Sequence, residues 1–186
     1  MNTMWQTKRP LATIGGEDNM NTLIAYATKY GCTEKCAAIL SEKLTGKVDL
    51  CNLKERKAID LSQYDKVVIG GSIYAGKVRK EVSEFCSENH NLLKNKKLGL
   101  FICGMLEDQA ETELNNSFSQ ELLTNAVAKN FFGGEFQFKK MKFMEKFIVK
   151  MVSKADKNRP VIDTGKDIST VSEQTISRFA NTMNNV

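Results

Sequence analysis

The chain has 186 residues, 41% hydrophobic and 26% charged, with only two prolines and a formal net charge of +5. That length holds one domain with a real core rather than two, and the composition excludes disordered and low-complexity classes. No apolar run approaches the roughly 18 residues that a membrane span needs.

Residues 1–19, MNTMWQTKRPLATIGGEDN, precede a second Met-Asn-Thr at Met20. They lack the long apolar core of a secretory signal and read as a leader, an alternative start or an added tag outside the fold. Thr22–Ala27 is a continuous apolar run, the mark of a parallel strand covered on both faces. A helix is predicted over Thr33–Leu44, with Cys36, Ala37, Ile39, Leu40 and Leu44 at helical spacing and Gly46 as its stop. KVDLCNL from Lys47 is a weaker strand, expected at an edge. Asp65–Gly71 is the second buried strand, and Val78–Leu93 a helix with Val82, Phe85 and Cys86 on one face. Lys97–Gly104 is the third buried strand. Ser117-Phe-Ser-Gln120 has the spacing of a capping box opening a helix to Lys129, and FFGGEFQF from Phe131 is expected to be the last strand. Thr170-Val-Ser-Glu173 forms a second capping box before a terminal helix through Phe179. Strands alternating with helices imply right-handed crossovers and an open parallel sheet of five strands.

In such sheets ligands bind beyond the carboxyl ends of the strands, where the strand order reverses. The loops that end the three strong strands therefore carry the candidate residues: Thr28–Thr33, Ser72–Lys77 and Gly104–Leu106. In the first, a helix start offers unpaired amides and partial positive charge, Thr28 and Thr33 add hydroxyls, and Gly31 lets the backbone curl close. That suits a terminal phosphate; a capped turn without a ligand is the alternative. Neither a G-x-x-x-x-G-K-[ST] loop nor a G-x-G-x-x-G after a strand is present, which counts against a nucleotide triphosphatase and a Rossmann dinucleotide site. In the second loop, Gly70, Gly71, Ser72, Tyr74 and Gly76 would let amides approach a flat ring edge while an aromatic covers its face. A phosphate cradle beside a ring-holding loop describes a site for flavin mononucleotide (FMN); Tyr74 as a mere loop anchor is the alternative.

Thr28-Lys-Tyr-Gly-Cys-Thr33 resembles the T-x-x-G-x-T phosphate loop of flavodoxins. VVIGGSIYAGK, LGLFICGM and the aromatic, basic FKKMKFMEKFIVKMVSKADK are more specifically similar to the flavodoxin-fold menaquinone-dependent protoporphyrinogen dehydrogenase group. The resemblance spans the chain from Met20 onward. It implies a flavodoxin-like three-layer α/β/α sandwich, with a five-stranded parallel sheet of order 2-1-3-4-5 and FMN as cofactor. Thr28, Lys29, Tyr30, Gly31, Cys32 and Thr33 would hold the phosphate. Ser72, Ile73, Tyr74, Ala75, Gly76 and Lys77 would line the ring, with Gly104, Met105 and Leu106 closing the third side. Three features depart from small flavodoxins: Lys29 puts a cation in the phosphate loop, the third loop lacks an aromatic, and the body is not strongly acidic. They favour an FMN-dependent oxidoreductase over a soluble electron carrier without settling a substrate; the resemblance implies heme biosynthesis as a setting, and a flavin-free binding module is the third reading.

The chemistry would reside in the cofactor, and no protein acid–base pair or metal site is expected. His90 is expected at the surface. Cys32, acidified by the helix N-terminus, is a candidate reactive thiol, although Cys32 and Cys36 read more simply as small packing residues. Between Lys139 and Arg159 eight basic residues stand against two acids, so the remainder of the chain is almost neutral. Lys142, Lys146, Lys150 and Lys154 recur every four residues opposite Phe143, Met144, Phe147, Ile148, Met151 and Val152. Such a helix would lie on an anionic membrane or dock a partner, with packing on its own domain as the alternative. The expected partners are a redox protein or a quinone, with no nucleic acid. Five cysteines without framework spacing and no export signal indicate a cytoplasmic location, with peripheral contact at the inner membrane face.

Overall fold

The computed structural model describes residues 5–7, 20–55, 59–139, 141, 143 and 166–186. Its centre is a set of parallel strands: β2 (Asn21–Ala27), β3 (Lys47–Asn52), β4 (Lys66–Tyr74), β6 (Lys97–Cys103) and β7 (Ala126–Phe131). They lie in the order β3-β2-β4-β6-β7, the expected 2-1-3-4-5 when the parallel strands alone are counted. β1 (Trp5–Thr7) adds to the outer edge of β3 in antiparallel sense, so part of the stretch expected outside the fold joins the sheet.

Strand alternation explains why the central strands read as unbroken apolar runs. Leu23, Ala25 and Ala27 of β2, Val67 and Ile69 of β4, and Leu98, Leu100 and Ile102 of β6 enter one core layer. Ile24 and Tyr26, Val68, and Phe101 and Cys103 enter the other. The first layer is closed by α2 (Lys80–Glu88), α3 (His90–Leu93), α4 (Ala110–Ser117) and α5 (Gln120–Asn125). The second is closed by α1 (Cys32–Lys43) and α6 (Glu173–Asn184), which bury Cys36, Ala37 and Leu40 and Ile176, Phe179, Ala180 and Met183. Lys66 is 4% exposed, and its Nζ donates to the Met183 carbonyl at 2.6 Å, placing a cation at the negative end of α6.

Several boundaries differ from the sequence expectation. The helix expected from Val78 starts at Lys80, because Lys77–Val78 forms β5, antiparallel to the end of β4; it also breaks at Asn89. The helix expected to reach Lys129 stops at Asn125, and its cap is Ser119, whose hydroxyl accepts from the Leu122 amide. Ser117 instead donates to the Glu113 carbonyl at 2.6 Å. The last parallel strand is Ala126–Phe131, upstream of FFGGEFQF; within that motif Glu135–Phe136 (β8) pairs with Ile168–Ser169 (β9) in a separate two-stranded sheet. The terminal helix is capped by Ser172, which accepts from the Thr175 amide at 3.2 Å, while Thr170 bonds to Gly134; the helix extends to Asn184. The basic stripe Lys142, Lys146, Lys150 and Lys154 lies outside the described residues, where Phe143 is described and 82% exposed.

Gly70 is expected from the sequence to present its amide to a ligand, but it lies inside β4 and its role is steric. A Cβ there would stand 2.0 Å from Phe101 Cζ. Phe101 cannot swing away, since it stacks on Phe132 at 4.5 Å and meets Phe179 edge-on at 6.3 Å. Overpacking of this kind costs about 1–3 kcal/mol. Gly70→Ala is therefore expected to lower the urea midpoint by a matching amount, and Gly70→Ala/Phe101→Leu to recover part of it; an unchanged midpoint in the single variant contradicts this packing.

Candidate functional site

Because β2, β4 and β6 run parallel and side by side, their carboxyl ends open on one edge of the sheet, and the three predicted segments meet there. The chain leaves β2 for β3 on one side and returns to β4 on the other, so this edge is also where the strand order reverses.

The first segment is a tight turn into α1. Gly31 is the N-cap residue, with φ +100°, and open space surrounds the position a Cβ would take. An L side chain is strained at that angle, by about 1–2 kcal/mol for left-handed backbone, which is why glycine stands here. Thr28 Oγ1 accepts from the Gly31 amide at 2.9 Å and holds the turn. Thr28, Lys29, Tyr30 and Gly31 are half-buried, while Cys32 and Thr33 are buried. Thr33 is 0% exposed, and its Oγ1 has no hydrogen-bond partner among the described residues. A buried hydroxyl without a partner costs roughly 1–3 kcal/mol, so this one has an unfilled valence at a helix N-terminus suited to anions.

The second segment is a β-hairpin rather than an open loop. Ser72, Ile73 and Tyr74 end β4, Lys77 begins β5, and Ala75 and Gly76 form the two-residue turn with φ +51° and +72°. Positive φ at both positions is the type I′ pattern that matches strand twist. Ser72 Oγ is a second buried hydroxyl without a partner among the described residues. Tyr74 is 43% exposed at the tip. Lys29 joins the two segments: its Nζ lies 3.0 Å from the centroid of the Tyr74 ring and 5.4 Å from that of Tyr30. A cation on the face of an aromatic ring gains about 0.5–2 kcal/mol, enough to set the relative position of two surface loops.

In the third segment Gly104 is buried and Met105 and Leu106 are half-buried. The Gly104 amide donates to the Gly133 carbonyl at 3.1 Å, and Gly134 passes so close that a Cβ on it would lie 2.2 Å from the Gly104 oxygen. A Cβ built on Gly104 would touch Ile73 Cβ at 3.6 Å and Glu113 Oε2 at 3.2 Å. Glu113 was not anticipated from the sequence. It lies on α4, is 6% exposed, and its Oε2 has no partner among the described residues. The Glu111-Thr-Glu113-Leu stretch around it has no apolar stripe that would mark an inward carboxyl.

The structure also assembles a group that spacing conceals. Cys32 and Cys36 share one face of α1, and Cys103 ends β6; the three sulfurs lie within 4.8 Å of one another, all buried. Hydrogen bonds from Cys103 and then Cys36 hold the Cys32 thiol down to about 4, with Lys35 and the Glu135 amide adding to the effect. Cys36 receives a lowering hydrogen bond from Cys103, but its bond to Cys32 and its burial push it up to about 12; burial raises Cys103 further. Of the three thiols, the surroundings favour ionisation at Cys32 over Cys36 and Cys103. His90 is partly exposed at the far side, 3.1 Å from Glu121 Oε2.

Burial raises the Glu113 carboxyl above the usual carboxylate range, and Asp108 raises it further. Folding is thus favoured while the group is protonated. That stability is complete below the unfolded value, about 4.3, and is lost as pH rises through the higher folded value. Glu113→Gln, neutral throughout, is expected to melt above the wild type at pH 7 and level with it at pH 4; equal melting curves at pH 7 contradict the buried ionisation.

Comparison with known proteins fits this geometry. The flavodoxin domain family matches residues 23–162. The protoporphyrinogen IX dehydrogenases [quinone] of Escherichia coli K12 and O157:H7 are each 23% identical over 170 residues, covering 87% of this chain and 93% of theirs. Among solved structures, flavodoxin 2 of Bacillus cereus is similar with TM-score 0.56 and 20% identity, covering 89% of this chain and 98% of its own. A Fusobacterium nucleatum flavodoxin variant bound to flavin mononucleotide gives 0.50 at 13% identity, covering 91% and 98%. The rubredoxin oxygen:oxidoreductase of Desulfovibrio gigas gives 0.53 at 16% identity over 90% of this chain, which spans only 36% of that larger protein. A tight glycine-capped turn after the first central strand, its neighbours at one sheet edge and the matched span together place the chain in the flavodoxin domain family.

Proposed function

We propose that this protein is an FMN-dependent oxidoreductase of the protoporphyrinogen dehydrogenase kind, passing its electrons to a quinone. The observation that carries the flavin reading is the pair of buried hydroxyls without a partner among the described residues, Thr33 Oγ1 and Ser72 Oγ, on the two segments that Lys29 joins. Thr33 and the α1 N-terminus would take the phosphate, the charge of Lys29 would offset it, and Ser72 to Lys77 with Gly104 to Leu106 would line the ring. Bound FMN would supply the ability to accept a hydride or single electrons. This chain's part is to place donors at the ring edge, to cover a ring face with Tyr74 and to keep water from the rest.

The substrate reading rests on the 23% identity to the Escherichia coli enzymes across nearly their whole length. The near-complete coverage of short flavodoxins supports a second reading, an electron carrier that serves other enzymes. A quinone acceptor resides in lipid, and the Lys142, Lys146, Lys150 and Lys154 stripe would hold the protein at an anionic cytoplasmic membrane face. Among the described residues no helix is long and apolar enough to cross a membrane.

The purified protein should show a flavin absorption spectrum, or acquire it with FMN. With FMN bound, anaerobic oxidation of protoporphyrinogen by menaquinone supports the enzyme reading. Failure there, combined with rapid reduction by a ferredoxin reductase, replaces it with the carrier. Thr33→Val keeps shape and removes the hydroxyl, so the flavin-free protein should be no less stable. FMN affinity, read by quenching of flavin fluorescence, should fall roughly tenfold or more, the worth of one hydrogen bond to a charged group. Unchanged affinity would remove Thr33 from the cradle. Flotation with anionic vesicles should recover the protein at low salt and lose it at high salt or when the four lysines are replaced by Gln; equal flotation of the Gln variant contradicts the membrane role.

A further inference from the structure

The flavin reading leaves the side chains of Cys32, Cys36 and Cys103 unused. Helix period and strand alternation bring them together: positions 32 and 36 are one turn apart on α1, and Cys103 has the same parity as Phe101 on β6, so all three enter the layer between sheet and helix. Tyr26, Ala37, Phe101 and Phe132 belong to the same layer. The remaining cysteines, Cys51 and Cys86, lie in the opposite layer. Three sulfurs at one point exceed what packing asks of α1, where the neighbouring inward positions are Ala37 and Leu40.

We propose that Cys32, Cys36 and Cys103 form a three-coordinate thiolate site for a soft, thiophilic ion of the Cu(I) class. A metal–sulfur bond of about 2.3 Å sets the sulfurs of a planar three-coordinate centre about 4 Å apart. The observed separations, all within 4.8 Å, are close to the sides of that triangle. Thiolate ligands exclude hard cations such as Mg²⁺ and Ca²⁺. Iron–sulfur clusters and structural zinc take four protein ligands, and a three-ligand zinc site keeps a fourth position open to water, whereas this trio is buried and among the described residues no fourth Cys, His, Asp or Glu joins it. Cu(I) is soft and accepts three sulfurs. Binding forms three Cu–S bonds and breaks the S–H bonds that remain, releasing those protons to water; copper stays monovalent and no electron moves. The positive end of α1 and the nearby, exposed Lys35 lie on the side that offsets the anionic charge.

The test uses the reduced full-length protein, with and without FMN, titrated anaerobically with Cu(I) against a chromophoric Cu(I) chelator. One competition-resistant Cu(I) per chain is expected, with an ultraviolet sulfur-to-copper band, in both preparations; its presence is therefore independent of the flavin result. Cys36→Ala and Cys103→Ala should each weaken binding at least tenfold, about 1.4 kcal/mol, while Cys86→Ala leaves it unchanged. X-ray absorption of the copper-loaded wild type needs no variant and should show three sulfur neighbours with no nitrogen or oxygen. Copper that the chelator strips completely, nitrogen or oxygen ligation, or equal retention by folded Cys36→Ala and Cys103→Ala overturns the assignment.

Discussion

Two-sided burial of β2, β4 and β6 is the constraint on which the rest of the molecule depends. Each strand sends alternate side chains into two separate apolar layers, and neither layer could face water without exposing residues such as Leu23, Ile24, Val68, Ile69 and Phe101, all fully buried. Helices must therefore cover both faces, and covering both faces requires crossover connections between parallel strands. Parallel strands in turn point their carboxyl ends the same way. The site at that edge is a geometric by-product of how the core is buried.

The same packing sets tolerances at the site. Gly70 and Gly71 are fixed as glycines by the core, since a Cβ on either would collide with Phe101 or with Val78. That leaves the conformational work to Gly31 in the helix cap and to the Ala75–Gly76 turn, both at the surface. Lys29 then bridges the two loops through the Tyr74 ring. In this arrangement a rigid sheet carries two short turns, and one long side chain decides how they lie against each other. Among the described residues, three of the seven buried polar side-chain atoms without a partner, Thr33 Oγ1, Ser72 Oγ and Glu113 Oε2, lie near this edge.

The parts of the fold that were hard to read in advance share a physical cause. α4 buries Glu113 and Ser117 rather than an apolar stripe, so its period is invisible in hydrophobicity. β7, Ala-Val-Ala-Lys-Asn-Phe, has a single fully covered position and follows a helix without an intervening breaker, so the helix signal runs through it. Ser117 has the capping-box spacing to Gln120, yet the chain turns after Phe118 and Ser119 is the residue that caps α5. The thiol trio needed a strand residue some seventy positions from the helix pair, a proximity that no local spacing rule detects.

By itself the sequence determined the central strands, the helix α1, the parallel sheet and the three loops that end the strong strands, because continuous apolar runs and helical periodicity are local consequences of burial. Tertiary structure decided what those loops contain. It made the second a hairpin, turned Gly70 inward against Phe101, laid Lys29 over Tyr74, drew Glu113 beside Gly104 and brought Cys103 to Cys32 and Cys36. Each of these is a contact between elements distant along the chain, and such contacts exist only once both layers have closed on the sheet.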